Sequence, residues 1–475
     1  MPRGGSHLHR NRQVFSACTD AVNRRRFRPT IIMVHTDAVL IVGEVVIDFT
    51  LARKDVPCKL RLGGVVHAAR GLWASGLEYS VAAFCPQYLA DEARRYLSAH
   101  GCKEFIWLGD VVGSPNVIVI GDPTEVSHQG YEDLLRESKR VELREHSPNL
   151  ENYGKVVIFP GKFDVTELIG EFSPDAKFTL DIAYDVEDLS SLQAFRGRTD
   201  AIVISTSSPL FAATGKERVD DLLAEVKTLL PEVFLLKENR GGSRLFHFKT
   251  NSVDEIPASL GSTVNSVGVG DVYSAVMVGF SSRGWLEAAW RGCQAATCYS
   301  QTTYPDDFKR DVQRTLRLTV DMLCGLGGTF LPWHDRQRFP IYVAAPDFSY
   351  VYKPELERAV ESLEYHNFLV RRPVQENGEL APPASRADLH RTYHKDCQLL
   401  RDSAAVFAVP LGKDPGALVE LGMAIALGKP VITFDPRNEN NNTMVVVGSS
   451  VYSADLDTCL NGVFDVLAKL RAELP

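Results

Sequence analysis

The sequence predicts an α/β protein made of two successive units, of which the second and smaller is doubly wound. From residue 38 onward, short buried-strand runs alternate with amphipathic helical runs, which is typical of helices layered around a largely parallel sheet. The length of 475 residues is enough for two or three domains. A content of 45% apolar and 24% charged residues is that of an ordinary folded protein and excludes a fibrous or wholly disordered chain.

Charge and hydropathy argue against two classes of partner. The 52 basic and 60 acidic residues give a net charge of −8, which would repel a nucleic-acid backbone unless basic side chains gathered on one face. No apolar run approaches the roughly 20 residues that cross a bilayer. The longest candidate, near 38–47, is interrupted by Gly43 and Glu44. We therefore expect no nucleic-acid and no membrane partner.

The nine cysteines are odd in number and form no Cys-x-x-Cys pair. We interpret them as reduced thiols, which predicts a cytoplasmic location. Cys293 and Cys298 have no histidine or second cysteine pair at ligand spacing, so we expect buried small side chains and no metal site there.

Residues 1–36 are predicted to form a disordered basic leader. Residues 1–32 contain seven arginines and a single acid, Asp20, without a hydrophobic period. This composition is typical of a transit peptide or a nucleic-acid arm. An alternative is that the chain naturally starts at Met33, directly before the first strand, and that the leader is an untranslated extension.

The first unit is predicted over 37–324, and a glycine-rich linker over 325–338 connects it to a second unit over 339–475. Predicted strands of the first unit are 39–47, 79–84, 116–120, 156–159, 178–181, 201–205 and 233–237, and predicted helices include 88–100, 219–230, 272–283 and 306–324. Predicted strands of the second unit are 341–345, 405–410 and 430–434, and its helices are 353–366, 388–402 and 415–427.

A glycine-containing motif, Asn-Ser-Val-Gly-Val-Gly-Asp over 265–271, directly precedes a predicted helix of the first unit. Small residues at this place let backbone N–H groups surround an anion, and the helix N-terminus adds partial positive charge. Asp271 is placed to accept a proton from a hydroxyl that attacks a bound phosphate. The alternative is an aspartate that only caps the helix.

Two further segments accompany this motif. Asp48 ends the first predicted strand, at the edge where open α/β sheets bind ligands. Gly64 and His67 follow in a glycine-containing turn before another helix. In this order the three segments resemble the ribokinase-like, or phosphofructokinase-B type, family of sugar and nucleoside kinases over about residues 37–324. The resemblance implies an α/β/α sandwich that uses ATP and Mg²⁺.

The resemblance also implies a role for each matched residue. Asp48 would bind substrate hydroxyls, Gly64 and His67 would cover the sugar, Gly268, Val269 and Gly270 would form the anion hole, and Asp271 would be the base. The sequence departs from the family at three places: Asn265 replaces the first aspartate of the motif, His67 replaces an asparagine, and 207–210 lacks the glutamate of an Asn-x-x-Glu element. These departures keep open a kinase-shaped domain that senses a ligand without catalysis.

The second unit contains a more specific pattern around Glu420. Residues 414–430 predict an aspartate cap, a proline at the first helical position, a three-turn helix closed by Gly428, and a strand. Glu420 then lies in the second turn beside apolar positions, where a carboxylate is costly unless it has a task. The alternative is a boundary glutamate in an ion pair.

Together with Tyr342, Asp396, Asp414 and Asn442, Glu420 resembles the nucleoside 2-deoxyribosyltransferases and their N-glycoside hydrolase relatives, over about 339–465. The resemblance implies a flavodoxin-like or Rossmann-like fold in which Glu420 is the nucleophile and Tyr342 positions it. Asp396 and Asp414 would contact sugar and base, and Asp396 is our candidate for the acid that protonates the base. Asn442 would reach a neighbouring subunit's site, which implies a homodimer or larger homo-oligomer.

The sequence thus predicts a bifunctional enzyme that acts on a small nucleoside, nucleotide or pentose. The C-terminal unit would cleave or exchange an N-glycosidic bond, and the N-terminal unit would phosphorylate a sugar or nucleoside. A glycohydrolase regulated by an inactive, ligand-sensing kinase-like domain is the alternative. Arg371, Arg372 and Arg386 would hold a 5′-phosphate or else form ion pairs within a surface loop. A dinucleotide oxidoreductase is disfavoured because an early glycine fingerprint is missing.

Overall fold

The computed structural model describes residues 36–53, 57–144, 148–183, 185–381 and 383–474. The predicted basic leader lies outside these residues except for its last position. Both predicted units belong to one compact body. Within the described residues, no helix has the length and apolar character needed to cross a membrane.

The N-terminal unit is built on one large sheet with helices on both faces. Its strands are β1 (Thr36–Thr50), β2 (Lys59–Gly64), β3 (Tyr79–Phe84), β4 (Phe105–Val112), β5 (Val117–Ile120), β6 (Tyr131–Asp133), β7 (Arg140–Leu143), β8 (Tyr153–Ile158), β9 (Lys177–Ile182), β10 (Thr199–Ser205), β11 (Val233–Lys237), β12 (Ser243–His247) and β13 (Ser252–Ile256). Its helices are α1 (Val65–Ser75), α2 (Gln87–Ala99), α3 (Val219–Val226), α4 (Val269–Phe280), α5 (Trp285–Ser300), α6 (Pro305–Thr315) and α7 (Val320–Gly325).

Strand order in the large sheet is β13-β12-β11-β10-β9-β8-β1-β3-β4-β7. The strands from β11 to β4 pair in parallel, and β12, β13 and β7 add antiparallel edges. The second half of β1 leaves this sheet and pairs with β2 and β5, to which β6 is added. This small sheet, which we call the lid sheet, lies beyond the carboxyl half of β1.

Alternate side chains of the central strands enter separate apolar cores on the two faces of the large sheet. Ile202 packs on one face with α3, whereas Val203 packs on the other with α4 and α5. The strands are therefore buried on both sides, which explains their continuous apolar runs. This architecture confirms the predicted α/β/α sandwich.

Two features between the units differ from the sequence-based expectation. The single helix predicted over 306–324 is two helices, α6 and α7, because Thr319 caps α7 by accepting a hydrogen bond from the Met322 N–H at 3.3 Å. The predicted linker 325–338 is packed against both units. Arg336 within it is fully buried and donates to the carbonyls of Glu238 at 2.6 Å and His366 at 3.1 Å.

The C-terminal unit has a separate five-stranded sheet, ordered β15-β14-β16-β17-β18 and parallel throughout. Its elements are β14 (Ile341–Ala344), α8 (Pro354–Tyr365), β15 (Val370–Arg371), α9 (Pro373–Asn377), α10 (Arg386–Asp402), β16 (Ala405–Ala408), α11 (Pro415–Ala426), β17 (Val431–Phe434), α12 (Thr443–Gly448), β18 (Val451–Ser453) and α13 (Leu456–Ala472). Helices α8 and α13 cover one face, and α10 and α11 cover the other. The predicted doubly wound unit is confirmed.

Candidate functional site

A carboxylate and a phenol meet at the carboxyl end of the C-terminal sheet. Tyr342 is fully buried in β14, and its hydroxyl donates to Oε1 of Glu420 at 2.6 Å. Glu420 lies on α11, whose N-terminus is fixed by Pro415 and by Asp414, which accepts from the Ala417 N–H at 2.8 Å. This contact holds one carboxylate oxygen and leaves the second available for chemistry.

The surroundings of Glu420 raise its pKa above the usual value of a glutamate. Burial raises its pKa to about 7, against the lowering effect of the Tyr342 hydrogen bond. The negative charges of Asp396 and Asp414 contribute to the same rise. Three of the predicted partners are therefore close enough to influence Glu420, either through a hydrogen bond or through charge.

Asp396 lies on α10 and is held by a residue that the sequence did not single out. The Asn377 side-chain amide, at the end of α9, donates to Oδ1 of Asp396 at 2.7 Å. Burial raises the pKa of Asp396 despite this bond. The segment after Arg371 and Arg372, expected as a surface loop, forms the short helix α9 and brings Asn377 to Asp396.

Asn442 has a different environment from the other predicted residues of this unit. Its side chain is exposed and caps α12 by accepting from the Met444 N–H at 2.9 Å. On α12 itself, Met444 and Val447 are 78% and 77% exposed. An apolar surface therefore lies beside the predicted intersubunit residue.

Arg371 and Arg372 form ion pairs within the chain. Arg371 forms a bidentate ion pair with Glu376, the shorter contact being 2.7 Å. Arg372 contacts both oxygens of buried Asp347 at 2.8 Å. These pairs agree with the ion-pair alternative for the two residues rather than with a free phosphate-binding cluster.

Replacing Tyr342 by Phe is expected to shift the pH dependence of any reaction that uses ionised Glu420. In the wild type, the hydrogen bond from Tyr342 lowers the pKa of Glu420. Because Y342F lacks this bond, the pKa should rise, and the acidic limb of kcat/KM should move to higher pH. At pH 7 we expect a loss of about 10-fold, the scale of one hydrogen bond to a charged group. A pH-rate profile of both proteins measures this, and an unmoved limb would contradict the role given to Tyr342.

The motif over 265–271 forms the N-terminus of α4, as predicted. Gly268 has φ of 81°, a left-handed conformation that favours glycine, and Asp271 lies in the first turn. Burial and the charge of Asp181 raise the pKa of Asp271 to about 7, although Lys237 lowers it. The ammonium of Lys237 contacts Asp181 at 3.0 Å and the Gly270 carbonyl at 3.3 Å.

The backbone of Gly270 leaves open space beside this ammonium group. A Cβ added at Gly270 would lie 3.1 Å from Nζ of Lys237, so a larger residue would fill the gap between the cation and the start of α4. The N–H of Val269, the first residue of α4, donates to the Ser266 carbonyl at 3.1 Å and so already has a partner within the chain. The start of α4 and the ammonium group of Lys237 therefore border the same space.

Asp48 is held by two basic side chains within the chain. His67 Nε2 lies 2.9 Å and Arg61 Nε lies 3.1 Å from the same oxygen, Oδ2. Burial alone would raise the pKa of Asp48, but these neighbours lower it below its usual value. Arg61 also donates to the Val267 carbonyl at 3.1 Å, which ties β2 of the lid sheet to the α4 motif.

His67 and Gly64 are tightly packed beside the Asp48 contacts. The His67 ring lies against Gly268, where an added Cβ would come within 2.1 Å of the ring. Nδ1 of His67 is 2.7 Å from the Tyr299 hydroxyl, and burial lowers the pKa of His67 to about 4. Gly64, with φ of 60°, packs so closely on the Glu44 carbonyl that no side chain would fit.

A cavity of about 650 Å³ joins these groups. The predicted residues that line it are Asp48, Gly64, His67, Gly268, Val269, Gly270 and Asp271. Ser205, Ser207 and Ser208 line it where the family's Asn-x-x-Glu element would supply a glutamate. Within the part of the chain that the structure describes, no group of three or more His, Cys, Asp or Glu side chains forms a metal-binding cluster.

Three residues of this site were not predicted. Asp181 and Lys237 end the predicted strands 178–181 and 233–237, so the reasoning that selected Asp48 at a carboxyl strand end applies equally to them. Arg61 had no such signal, because β2 has an exposed first half and no regular apolar alternation.

Comparison with known families gives one family match, in the C-terminal unit. Residues 341–456 match the family model described as nucleoside 2-deoxyribosyltransferase, which confirms the prediction for the C-terminal unit. A search of curated proteins found no match.

Solved structures similar to the chain include ribokinases and a nucleoside kinase. Ribokinase from Arabidopsis thaliana, complexed with ribose and ATP, is 13% identical, with a TM-score of 0.42, covering 59% of this chain and 99% of that chain. Ribokinase from Giardia lamblia is 14% identical (TM-score 0.44), covering 59% of this chain and 100% of that chain. A nucleoside kinase from Methanocaldococcus jannaschii is 13% identical (TM-score 0.42), and the match covers 59% of this chain and 99% of that chain.

Proposed function

We propose that the C-terminal unit cleaves or exchanges the N-glycosidic bond of a nucleoside or nucleotide, with Glu420 as nucleophile. The observation that carries this proposal is the 2.6 Å hydrogen bond from the buried Tyr342 hydroxyl to Glu420, which fixes one oxygen of a half-buried carboxylate. Such a group is costly in a fold that does not use it. The family match over 341–456 supports the same reaction class.

The residues supply each step of the reaction. The free oxygen of ionised Glu420 attacks the anomeric carbon, and the C–N bond breaks with its electron pair going to the base nitrogen. Asp396, whose pKa burial raises, supplies the proton that this nitrogen takes. Water attacking the glycosyl ester then gives hydrolysis, and a second base gives transfer.

The proposal is tested by base release from a panel of ribo- and deoxyribonucleosides and their 5′-monophosphates, followed by chromatography with and without a second free base. A new nucleoside that forms only with the added base identifies transfer, and free sugar identifies hydrolysis. No base release from any substrate would overturn the proposal.

We also propose that the active form is a homodimer or a larger homo-oligomer in which Asn442 serves a neighbouring site. Its exposure beside Met444 and Val447 supports this arrangement. Mixing E420A and N442A chains should restore up to about a quarter of wild-type activity, because random exchange in a dimer creates one intact shared site per mixed pair. Each variant alone is the control, and the absence of rescue after subunit exchange would contradict a shared site.

For the N-terminal unit we propose phosphorylation of a sugar or nucleoside, with Asp271 as base. Asp271 stands at the N-terminus of α4, beside Lys237 and at the same cavity as Asp48. The glycine backbone and the ammonium of Lys237 fit the phosphates of ATP, and Asp181 and Asp271 are the carboxylate type that Mg²⁺ binds together with phosphates. When bound, ATP supplies the phosphoryl group and Mg²⁺ neutralises its charge.

The second candidate for this unit is a ligand-sensing domain without turnover. It is favoured by the serines at 205, 207 and 208, where no acid is present, and by the Arg61 and His67 contacts that occupy Asp48. Consumption of ATP in the presence of ribose, deoxyribose or nucleosides separates the two candidates.

A further inference from the structure

The loop that joins β5 to β6 of the lid sheet, residues 121–130, forms part of the wall of the 650 Å³ cavity. We call it the lid loop. β5 pairs in parallel with β1, and Ile118 stands opposite Asp48 in that register. Within the lid loop, Glu125 and Gln129 line the cavity. The position of the lid loop is therefore linked to that of the strand that carries Asp48.

One side of the lid loop is tied to the α4 motif. The Ser266 N–H donates to the Pro123 carbonyl at 2.6 Å, and the Gln129 side-chain amide donates to Oγ of Ser266 at 2.6 Å. The same hydroxyl of Ser266 donates to the Pro123 carbonyl at 3.0 Å. The cavity is bounded there by two segments that are in direct contact.

The other side of the lid loop is packed into the C-terminal unit. Val126 is 2% exposed and belongs to the same apolar core as Leu356 and Val360 of α8. Tyr365, the last residue of α8, donates from its hydroxyl to Oε1 of Glu125 at 3.2 Å. The C-terminal unit thus contributes an apolar contact and a hydrogen bond to neighbouring residues of the lid loop.

Arg240 connects the lid loop to a second element of the C-terminal unit. Its guanidinium donates to the carbonyls of Thr124 at 3.1 Å and Glu125 at 3.3 Å. The same group forms an ion pair at 2.7 Å with Asp457 of α13, whose side chain is 5% exposed. A planar guanidinium with partners in both segments holds the lid loop and α13 in one geometry.

The backbone of Glu125 is an independent observation in the lid loop. Its φ of 53° lies in the left-handed region, which is uncommon for a residue other than glycine. Such a conformation persists only where the surrounding structure fixes it. Arg240 holds the Glu125 carbonyl, whereas the Tyr365 hydroxyl and the core around Val126 belong to the C-terminal unit. The shape of the lid loop therefore depends on the second unit.

We propose that the C-terminal unit holds the lid loop in place as a wall of the acceptor-binding part of the cavity, with Val126 and Tyr365 as positioning residues. This inference rests on the proposed phosphoryl transfer, in which Asp48 binds the acceptor. An acceptor that binds only chains with the lid loop in this conformation loses apparent affinity in proportion to the fraction of chains that adopt it. Steps after binding are unchanged. A loosened lid loop therefore raises KM for the acceptor without changing kcat.

The first test measures amide hydrogen exchange of the full chain without substrate in V126A and V360A. Both variants remove the same two methyl groups from one core, because the two valines are 2% and 3% exposed in it. We expect V126A to speed exchange in β5 and β6 by about 10-fold and to leave β9 and β10 unchanged, whereas V360A leaves β5 and β6 unchanged. Wild-type exchange in β5 and β6 of V126A, or an equal increase in V360A, would overturn the inference.

The second test is steady-state kinetics of Y365F, which removes the hydroxyl that contacts Glu125 and keeps the ring. Y350F, at a position that is 77% exposed, is the matched control. Y365F should raise KM for the acceptor by about 3- to 10-fold, with kcat and KM for ATP unchanged, and Y350F should equal the wild type. A fall in kcat at unchanged KM would overturn the positioning role. A wild-type chain that consumes no ATP would overturn phosphoryl transfer, and the exchange experiment would still decide whether the C-terminal unit holds the lid loop.

Discussion

Replacing Glu420 by Gln is expected to reduce base release by at least about 10³-fold, because the amide keeps the shape of the carboxylate but cannot form the glycosyl ester. The measurement is kcat/KM for the substrate that the panel identifies, with base release followed by chromatography. E420Q retains an acceptor for the Tyr342 hydroxyl, so its loss reports the missing nucleophile and not a displaced tyrosine.

The same substitution should not destabilise the protein. The pKa of Glu420 is raised to about 7 in the folded chain, so the native state gives up stability as pH rises from the unfolded pKa of about 4.5 through 7. The glutamine of E420Q does not ionise, so the variant lacks this pH-dependent loss of stability. Its melting temperature at pH 8 should equal or exceed that of the wild type, and the difference should shrink toward pH 5.

A matched control is available on α8 of the same unit. Glu361 is exposed, and E361Q removes one carboxylate without touching the candidate site. Full activity in E361Q together with loss in E420Q would support the nucleophile. Activity of E420Q above about one tenth of the wild type would be incompatible with covalent catalysis by this residue.

The positions of Glu420 and Tyr342 were predictable because local sequence signals set the helix and the strand that carry them. Glu420 follows an aspartate cap and a proline and precedes a glycine terminator, and the helix forms as these signals require. Tyr342, in the first strand of the unit, reaches Glu420 because that strand is parallel to its neighbours and ends at the same edge. The parallel pairing of these strands therefore explains why two residues distant in sequence lie close together.

The features that were missed depend on contacts that are distant in sequence. β7 is mostly exposed and so shows no apolar alternation, and the pairing of β2 with β1 that places Arg61 beside Asp48 has no local signature. The segment around Arg336 follows a glycine-rich stretch that indicates a linker, yet its guanidinium satisfies carbonyls from both units. Burial of this kind is decided by the packing of the two units together, which no local pattern records.

Replacing Asp271 by Asn is expected to abolish ATP-dependent phosphorylation, with a loss of about 10²- to 10⁴-fold, the range supplied by a general base. Asn cannot accept the hydroxyl proton, but it keeps the size of the side chain in the first turn of α4. The measurement is ADP formation with ribose, deoxyribose or nucleosides as acceptors, and D306N, at an exposed position in the first turn of α6, is the control.

The pH dependence of this reaction has a definite sign. Asp271 must be ionised to act, and burial with the charge of Asp181 raises its pKa to about 7, so the wild-type rate should increase as pH rises through that value. Base release by the C-terminal unit should be unaffected in D271N, because Glu420 does not line the cavity that holds Asp271. ADP formation that D271N leaves intact would remove Asp271 from the reaction. A wild-type chain that binds ADP but never consumes ATP with any acceptor would favour the ligand-sensing domain, because the anion-binding backbone of α4 holds phosphates whether or not a base acts beside it.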